Sequence, residues 1–419
     1  MIDYFRGIKQ DYFKIYMFVY IFFLPYNFFS GFFSNLTIFL FIWWLFIGKK
    51  RGYFTRLKEI SKNKPLVLFY IFIFYAILSL FWSDNIKIGI EELEYYKYYP
   101  MITIVFFSVF NKEDVKMAFY VITFSFALYA LFSLSIYMEF FTVQLKNEIS
   151  NKANPRGILP YVSVVFYMAF NIFLAVYFFI NEKNLKLRYI FIFIAIISFF
   201  TIIINNSRMG QLSFVGTILI LMIYYRQYFF KYKKIIITLF LMLIFSIYFL
   251  YINNKIDRYS KGINEIVYAY QHEEYIGSWG PRLFFYKAAS ELIPKNLIFG
   301  DGVGDAVIEL MNYQESNKNI FKHRTLKDYH NTYLNILAKF GIIGLLLFMV
   351  SIVVLFNCLY KKDKYFLYIG IVFFSMFFLS SIAGGMFRAA TINNFFMLVF
   401  VLLSITIKEN SKYKIGDKK

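Results

Sequence analysis

The sequence predicts an all-α polytopic membrane protein of about twelve transmembrane helices (ten to twelve) with one large outer loop carrying short helices. Three observations carry this reading. Of 419 residues, 60% are hydrophobic and 23% aromatic, and the mean hydropathy is +0.56. A soluble domain cannot hide that much apolar surface. Apolar runs recur at lengths that cross roughly 30 Å of hydrocarbon. Basic residues, finally, gather on alternate sides of those runs.

Taken in order, the runs are 12–30, 32–48, 65–82, 95–110, 115–137, 160–180, 189–205, 212–225, 235–252, 333–357, 365–383 and 394–407. Those at 95–110 and 212–225 are short. With a cytoplasmic N-terminus, the inner connections and tail hold 27 of the 45 basic residues, among them the seven between Lys49 and Lys64. The short outer loops hold only Lys87, Lys97, Lys146, Lys152, Arg156, Arg208 and Arg388. This is the positive-inside pattern, with both termini in the cytoplasm. The formal charge of +20 is therefore topological, and no nucleic-acid partner follows from it.

Three segments result. Residues 1–252 form nine transmembrane helices, 253–332 the outer loop, and 333–419 three more helices and a cytoplasmic tail. The loop contains all three histidines, His272, His323 and His330. Any chemistry belongs to that outer face, where nucleotide-activated donors are absent. The single cysteine, Cys358, excludes an intramolecular disulfide and a thiolate metal cluster.

Within the loop, "SWGPRLFFYKAASELIPKN" predicts a helix opened by Pro281 and ended at Pro294. Arg282 then lies in the first turn, where a guanidinium beside free backbone N–H groups suits a phosphate oxyanion. An interfacial arginine on lipid headgroups fits the same spacing. "IFGDGVGDAVIEL" follows, with Gly300, Gly302 and Gly304 permitting a tight turn and Asp305 placed to cap the next helix. A metal held by Asp301 and Asp305 is a weaker alternative to a structural turn. "IIINNSRMGQLSF" sets Arg208 at the outer end of a span among Asn205, Asn206, Ser207 and Gln211, as a snorkelling anchor or part of a polar pocket. Arg156 and Arg388 repeat the theme at other outer rims, and converging arginines there suit a polyanionic lipid headgroup. His330 stands at the lip of a span, where a histidine fits a general base. Gly341 and Gly344 beyond it would let a second helix pack closely.

His330-Asn331, nine residues, Gly341, two residues, Gly344 resembles the signature of bacterial O-antigen ligases and their polymerase relatives. "NNSRMGQL" resembles that family's Ser-Arg element, and "PRLFFYKAASELIPKNLIFGDGVGD" its loop-arginine helix and Gly-x-Gly turn. The resemblance covers about 155–350 by motif and the whole chain by topology, and it extends to GT-C-like membrane glycosyltransferases in architecture.

The resemblance implies a bacterial inner-membrane enzyme with its site facing the periplasm. It would transfer a glycan from undecaprenyl diphosphate to lipid A-core, among membrane lipids, in one inverting step without metal or cofactor. Arg208 and Arg282 match the positions that neutralise the diphosphate, and His330 the position that deprotonates the acceptor. Asn331, Arg156 and Arg388 are expected to bind substrate. An O-antigen polymerase and a protein O-oligosaccharyltransferase share these motifs. Size, the His-Asn pair and Lys339 favour the ligase. A lipid-linked oligosaccharide flippase would explain the spans, but it has no need of an eighty-residue loop ending in a histidine.

Overall fold

In this computed structural model residues 2–408 are described, except 27, 30, 147, 228–247 and 249–256. Helices α1 (Ile2–Gly7), α2 (Tyr12–Phe22), α3 (Phe32–Gly48), α4 (Lys64–Leu78) and α5 (Ile86–Leu93) open the chain. They are followed by α6 (Tyr99–Val109), α7 (Lys112–Tyr137), α8 (Tyr161–Asn181), α9 (Leu185–Ile204) and α10 (Arg208–Tyr224). The loop contributes α11 (Asp257–His272), α12 (Gly280–Leu292) and α13 (Asp305–Ser316), and the chain closes with α14 (Thr332–Lys362), α15 (Lys364–Ser381) and α16 (Ala390–Thr406). Among the described residues the only sheet is a two-stranded hairpin, Val143–Gln144 with Ile149–Ser150. The protein is an all-α membrane protein.

Each expected span except 235–252, which lies outside the described residues apart from Tyr248, meets a helix. Six described helical stretches are long and apolar enough to cross a membrane: Lys64–Trp82, α7, α8, α9, α14 and α15. Helices α2, α3, α10 and α16 are apolar but shorter. Residues 95–110 begin in a short 3-10 turn, Glu94–Tyr96, and then hold the eleven-residue α6, so part of that run is not spanning helix. Polar N-caps start several helices: Asn111 receives the Asp114 N–H while Asp114 receives the Asn111 N–H, and Asp363 receives those of Tyr365 and Phe366. Helix α16 stands in the middle. Every residue from Ile392 to Thr406 is buried, because α4, α6, α7, α14 and α15 surround it.

The outer loop forms a second, smaller core. Phe284, Phe285, Leu292, Leu310, Phe321 and Tyr329 are buried together with Ala338 of α14, and the Phe284 and Phe321 rings stack at 4.3 Å. Apolar spacing on α12 and α13 pairs these residues, and Gln314 closes the far end by donating to the Leu310 and Leu326 carbonyls.

The Gly341–Gly344 pair departs from expectation. Gly341 interrupts α14 with φ 61° and ψ −167°, so it is a break in the helix and not a bare face for a neighbour. The turn at 297–301 fills the break. Asp301 N donates to Ala338 O at 2.8 Å and Ile342 N to Leu297 O at 2.8 Å. These bonds satisfy groups that the interrupted helix would leave orphaned. Gly300 (φ 74°) comes so close that a Cβ there would lie 2.5 Å from Lys339 C, and one on Gly341 would lie 2.2 Å from Ile298 O. Gly344 does face a second helix, its nearest foreign atom being Tyr75 of α4.

Asp305 is also placed differently. It is the first residue of α13 behind Gly304, and its carboxylate instead holds the turn leading into α5, accepting from the N–H groups of Asp84 and Asn85 and from the Asn85 amide at 2.6–2.9 Å. Burial opposes its charge, but those donors hold its carboxyl below the usual range.

Gly341→Ala and Gly300→Ala should each destabilise the protein by about 2–4 kcal/mol, from left-handed strain plus backbone overlap. Gly370→Ala on α15, whose added Cβ would meet nothing nearer than 3.4 Å, should be neutral or mildly stabilising. Thermal unfolding midpoints in detergent compare the three.

Candidate functional site

Arg208 is the first residue of α10. Ser207 before it caps the helix, its Oγ accepting from Gly210 N at 3.2 Å. Arg282 occupies the first turn of α12 behind Pro281, as the sequence predicts. Both arginines therefore sit at helix N-termini, and the fold brings them together at Ser278. Arg208 Nη2 donates to Ser278 Oγ at 3.0 Å, and Arg282 Nη1 donates to the Ser278 carbonyl. Gly262 of α11 leaves room for the Arg208 guanidinium, since a Cβ there would stand 2.5 Å from Nη1.

Glu265 of α11 holds the meeting point. Its Oε2 accepts from Ser278 N at 2.8 Å, Trp279 N at 2.9 Å and Ser278 Oγ at 3.2 Å. Arg282 also donates to Ala383 O at 3.3 Å and lies over the Trp279 ring. Burial draws Arg282 below its ordinary value and the nearby Arg208 charge adds to that, with Tyr161 and Glu265 opposing. Two helix N-termini and two guanidiniums, one of them bonded to neutral carbonyls, make a locus for an anion.

Helix α12 carries the arrangement on to His330. Phe285, three residues after Arg282, has its ring 5.7 Å from the His330 ring. Tyr286, four residues after, accepts from Asn331 Nδ2 at 3.0 Å and donates to Ile382 O at 2.9 Å. This is the i, i+3, i+4 face of one helix. Asn331 caps α14, its Oδ1 accepting from Tyr333 N and Leu334 N at 2.9 and 3.1 Å, while its Nδ2 also reaches Ile382 O at 2.9 Å. All of its polar capacity is used in holding chain. His330 is partly exposed and takes a left-handed conformation, φ 47°, which is uncommon for a side chain of its size. Its Nδ1 faces Asp328 Oδ1 at 3.4 Å.

Arg156 and Arg388 stand apart from this group. Arg156 pairs with Glu148 at 3.1 Å across the hairpin loop, and that loop is tied to the Arg208 region through Asn206 Nδ2 on Ala153 O, 2.8 Å. Arg388 donates to Glu92 Oε1 at 2.5 Å, and Lys339 to Glu92 Oε2 at 2.7 Å. Glu92, only 4% exposed, is thus shared by two cations. Burial opposes the Arg388 charge, yet Glu92, Tyr95 and Asp328 keep it above its ordinary value. His323 bonds the Tyr275 carbonyl and His272 stacks on Tyr268.

Sequence reasoning overlooked Ser278, Glu265, Tyr286, Asp328 and Glu92. Tyr286 carried a signal, four residues from Arg282 on a predicted helix, and Asp328 another, two residues before the lip histidine. Ser278 and Glu265 carried none. In place of a metal pair, Asp301 accepts from Asn296 Nδ2 at 2.6 Å and Asp305 is taken by backbone donors. Among the described residues no group of three or more His, Cys, Asp or Glu side chains is arranged to hold a metal.

Residues 193–349 match the family model described as O-antigen ligase, a stretch holding Arg208, Arg282 and His330. Through this segment the chain is similar to the O-antigen ligase family. Comparison with curated proteins finds no match. That similarity supports a glycosyltransferase-like ligase or polymerase of the O-antigen ligase/polymerase superfamily.

Glu92→Gln would remove the carboxylate bonded to both Lys339 and Arg388 and leave the more loosely placed Asp328 as their counter-charge. A loss of about 3–5 kcal/mol is expected, as when one partner of a buried ionic group is removed. The thermal midpoint in detergent reads it; an unchanged midpoint would show that the three charges do not support the fold.

Proposed function

We propose that this protein is an O-antigen ligase: a bacterial inner-membrane enzyme that moves a glycan from undecaprenyl diphosphate to lipid A-core at the periplasmic face. The observation that carries the proposal is the meeting of Arg208 and Arg282 at Ser278 on a helix whose adjoining face holds His330. The acceptor hydroxyl attacks the anomeric carbon, the bond from that carbon to the diphosphate oxygen breaks, and the hydroxyl proton passes to His330. Arg208 and Arg282 bear the charge that grows on the departing diphosphate. A glycosyl diphosphate is already activated, so this displacement needs no further energy source and inverts the anomeric centre. Asn331 acts by holding His330 in place, while Arg156 and Arg388 bind substrate at the rims, at most outside the central pair.

The same reading has about twelve spans, cytoplasmic termini and a periplasmic loop over 253–332. The ion pairs Lys14–Asp114, Arg51–Asp11 and Lys112–Asp363 fall among the residues assigned to the inner side, which supports it. A cysteine at Ser316 should react with an impermeant maleimide in cells with a permeabilised outer membrane, and one at Ser61 should not. The reverse pattern would overturn the orientation.

Glycan gels separate ligase from polymerase. A strain lacking a ligase has bare lipid A-core and accumulates undecaprenyl-linked polymer; one lacking a polymerase has core capped by a single repeat. We expect the first result, with His330→Ala copying the deletion because loss of a general base costs about 10²–10⁴-fold. Arg208→Lys and Arg282→Lys should lose most transfer, since an ammonium does not reproduce a guanidinium fork. A full ladder from His330→Ala at normal protein level would remove that residue from the mechanism.

A further inference from the structure

A base that takes a proton through one imidazole nitrogen needs the other nitrogen to keep its own. We propose that Asp328 is the positioning residue for His330, fixing the ring as the tautomer with hydrogen on Nδ1 and a free lone pair on Nε2. The proposal rests on His330 being the base and adds to that reading the residue that orients it.

Four observations lead there. First, Asp328 Oδ1 is 3.4 Å from His330 Nδ1, and a carboxylate can only accept, so an imidazole nitrogen that bonds to it does so as the donor. Second, Asp328 is only 7% exposed, at the end of a polar loop where an aspartate without a task would face water. Its burial is matched by the charges of Lys339 and Arg388, both of which interact with it. Third, its other oxygen is confined. A Cβ on Gly385 would stand 2.3 Å from Asp328 Oδ2, so glycine is what lets the carboxylate lie there. Fourth, His330 holds a left-handed backbone conformation between Asp328 and the Asn331 cap, strain of the kind found where a side chain must be aimed. The Lys339–Glu92–Arg388 group thereby gains a use besides stability: its two cations face the aspartate that faces the histidine.

The alternative is that Asp328 only neutralises Lys339 and Arg388. That role would show in stability and leave the imidazole unaffected, so the test reads the ring itself. Full-length protein labelled with [15N]histidine, carrying His272→Gln and His323→Gln, reports His330 alone in detergent at a pH where it is neutral. The expected spectrum has a protonated Nδ1 and a bare Nε2. Asp328→Asn, whose amide can donate as well as accept, should shift the population toward the opposite tautomer, and Gly385→Ala, which displaces the carboxylate without changing charge, should do so in part. With undecaprenyl-diphosphate-linked glycan as donor, Asp328→Asn should lower kcat by about 10²–10⁴-fold with donor KM within about twofold, and Asp328→Glu should recover part of the loss. An unchanged tautomer in Asp328→Asn, or a loss confined to KM and thermal midpoint, overturns the proposal while leaving His330 as the base. Retained transfer in His330→Ala overturns the underlying reading instead, whatever the tautomer.

Discussion

The site depends on a contact between two backbones. At Gly341 the long helix α14 stops being a helix for one residue, and the turn at 297–301 supplies the hydrogen bonds that the break leaves open. Neither chain can approach so closely with a side chain at Gly300 or Gly341. The break separates the first part of α14, which packs Ala338 into the loop core, from the membrane-spanning remainder. It thereby gives the loop domain a fixed footing on the bundle and sets the angle at which Asn331, and His330 before it, stand at the lip.

Above that footing, the fold sorts its outer cations by what they are given as partners. Arg388 and Lys339 share the buried Glu92, and Arg156 has Glu148. Each is answered within the protein. Arg282 instead donates to the carbonyls of Ser278 and Ala383 and lies on the Trp279 ring, contacts that orient a guanidinium without cancelling its charge. Its charge is disfavoured by burial and by Arg208, with Tyr161 and Glu265 opposing.

Much of this was legible in the sequence because it is local. Helix positions follow from apolar runs and the start of α12 from Pro281. The positions of Arg208, Arg282 and His330 at the ends of helices were legible for the same reason. What failed was partner choice. Gly341 reads as a helix-packing glycine until the turn at 297–301, some forty residues earlier in the chain, is seen to occupy it. Asp305 reads as the cap of its own helix until Asn85 and Asp84 take its oxygens. The partner of Arg388 was hidden because nothing near it in the chain is acidic, and Glu92 lies 296 positions away. Spacing along the chain cannot rank such distant pairings.

The segment 382–388, between α15 and the central helix α16, explains how a small outer domain can hold a precise site. Its own apolar core is modest beside that of the bundle, and surface burial alone would leave it loosely seated. The segment answers with backbone atoms. Ile382 O receives Tyr286 and Asn331, Ala383 O receives Arg282, Gly384 O receives Thr332 Oγ1, and Met386 N donates back to that hydroxyl. A residue from each part of the site, arginine helix and histidine lip alike, is thus referred to one stretch of main chain. That stretch leads directly into α16, whose burial on every side makes it the part of the bundle least free to move. Small side chains at 383–385 let the approach happen, and at Gly385 the space goes to Asp328. Rigidity reaches the charged groups from the membrane core through carbonyls, which is why the side chains that matter can be few and widely separated in sequence.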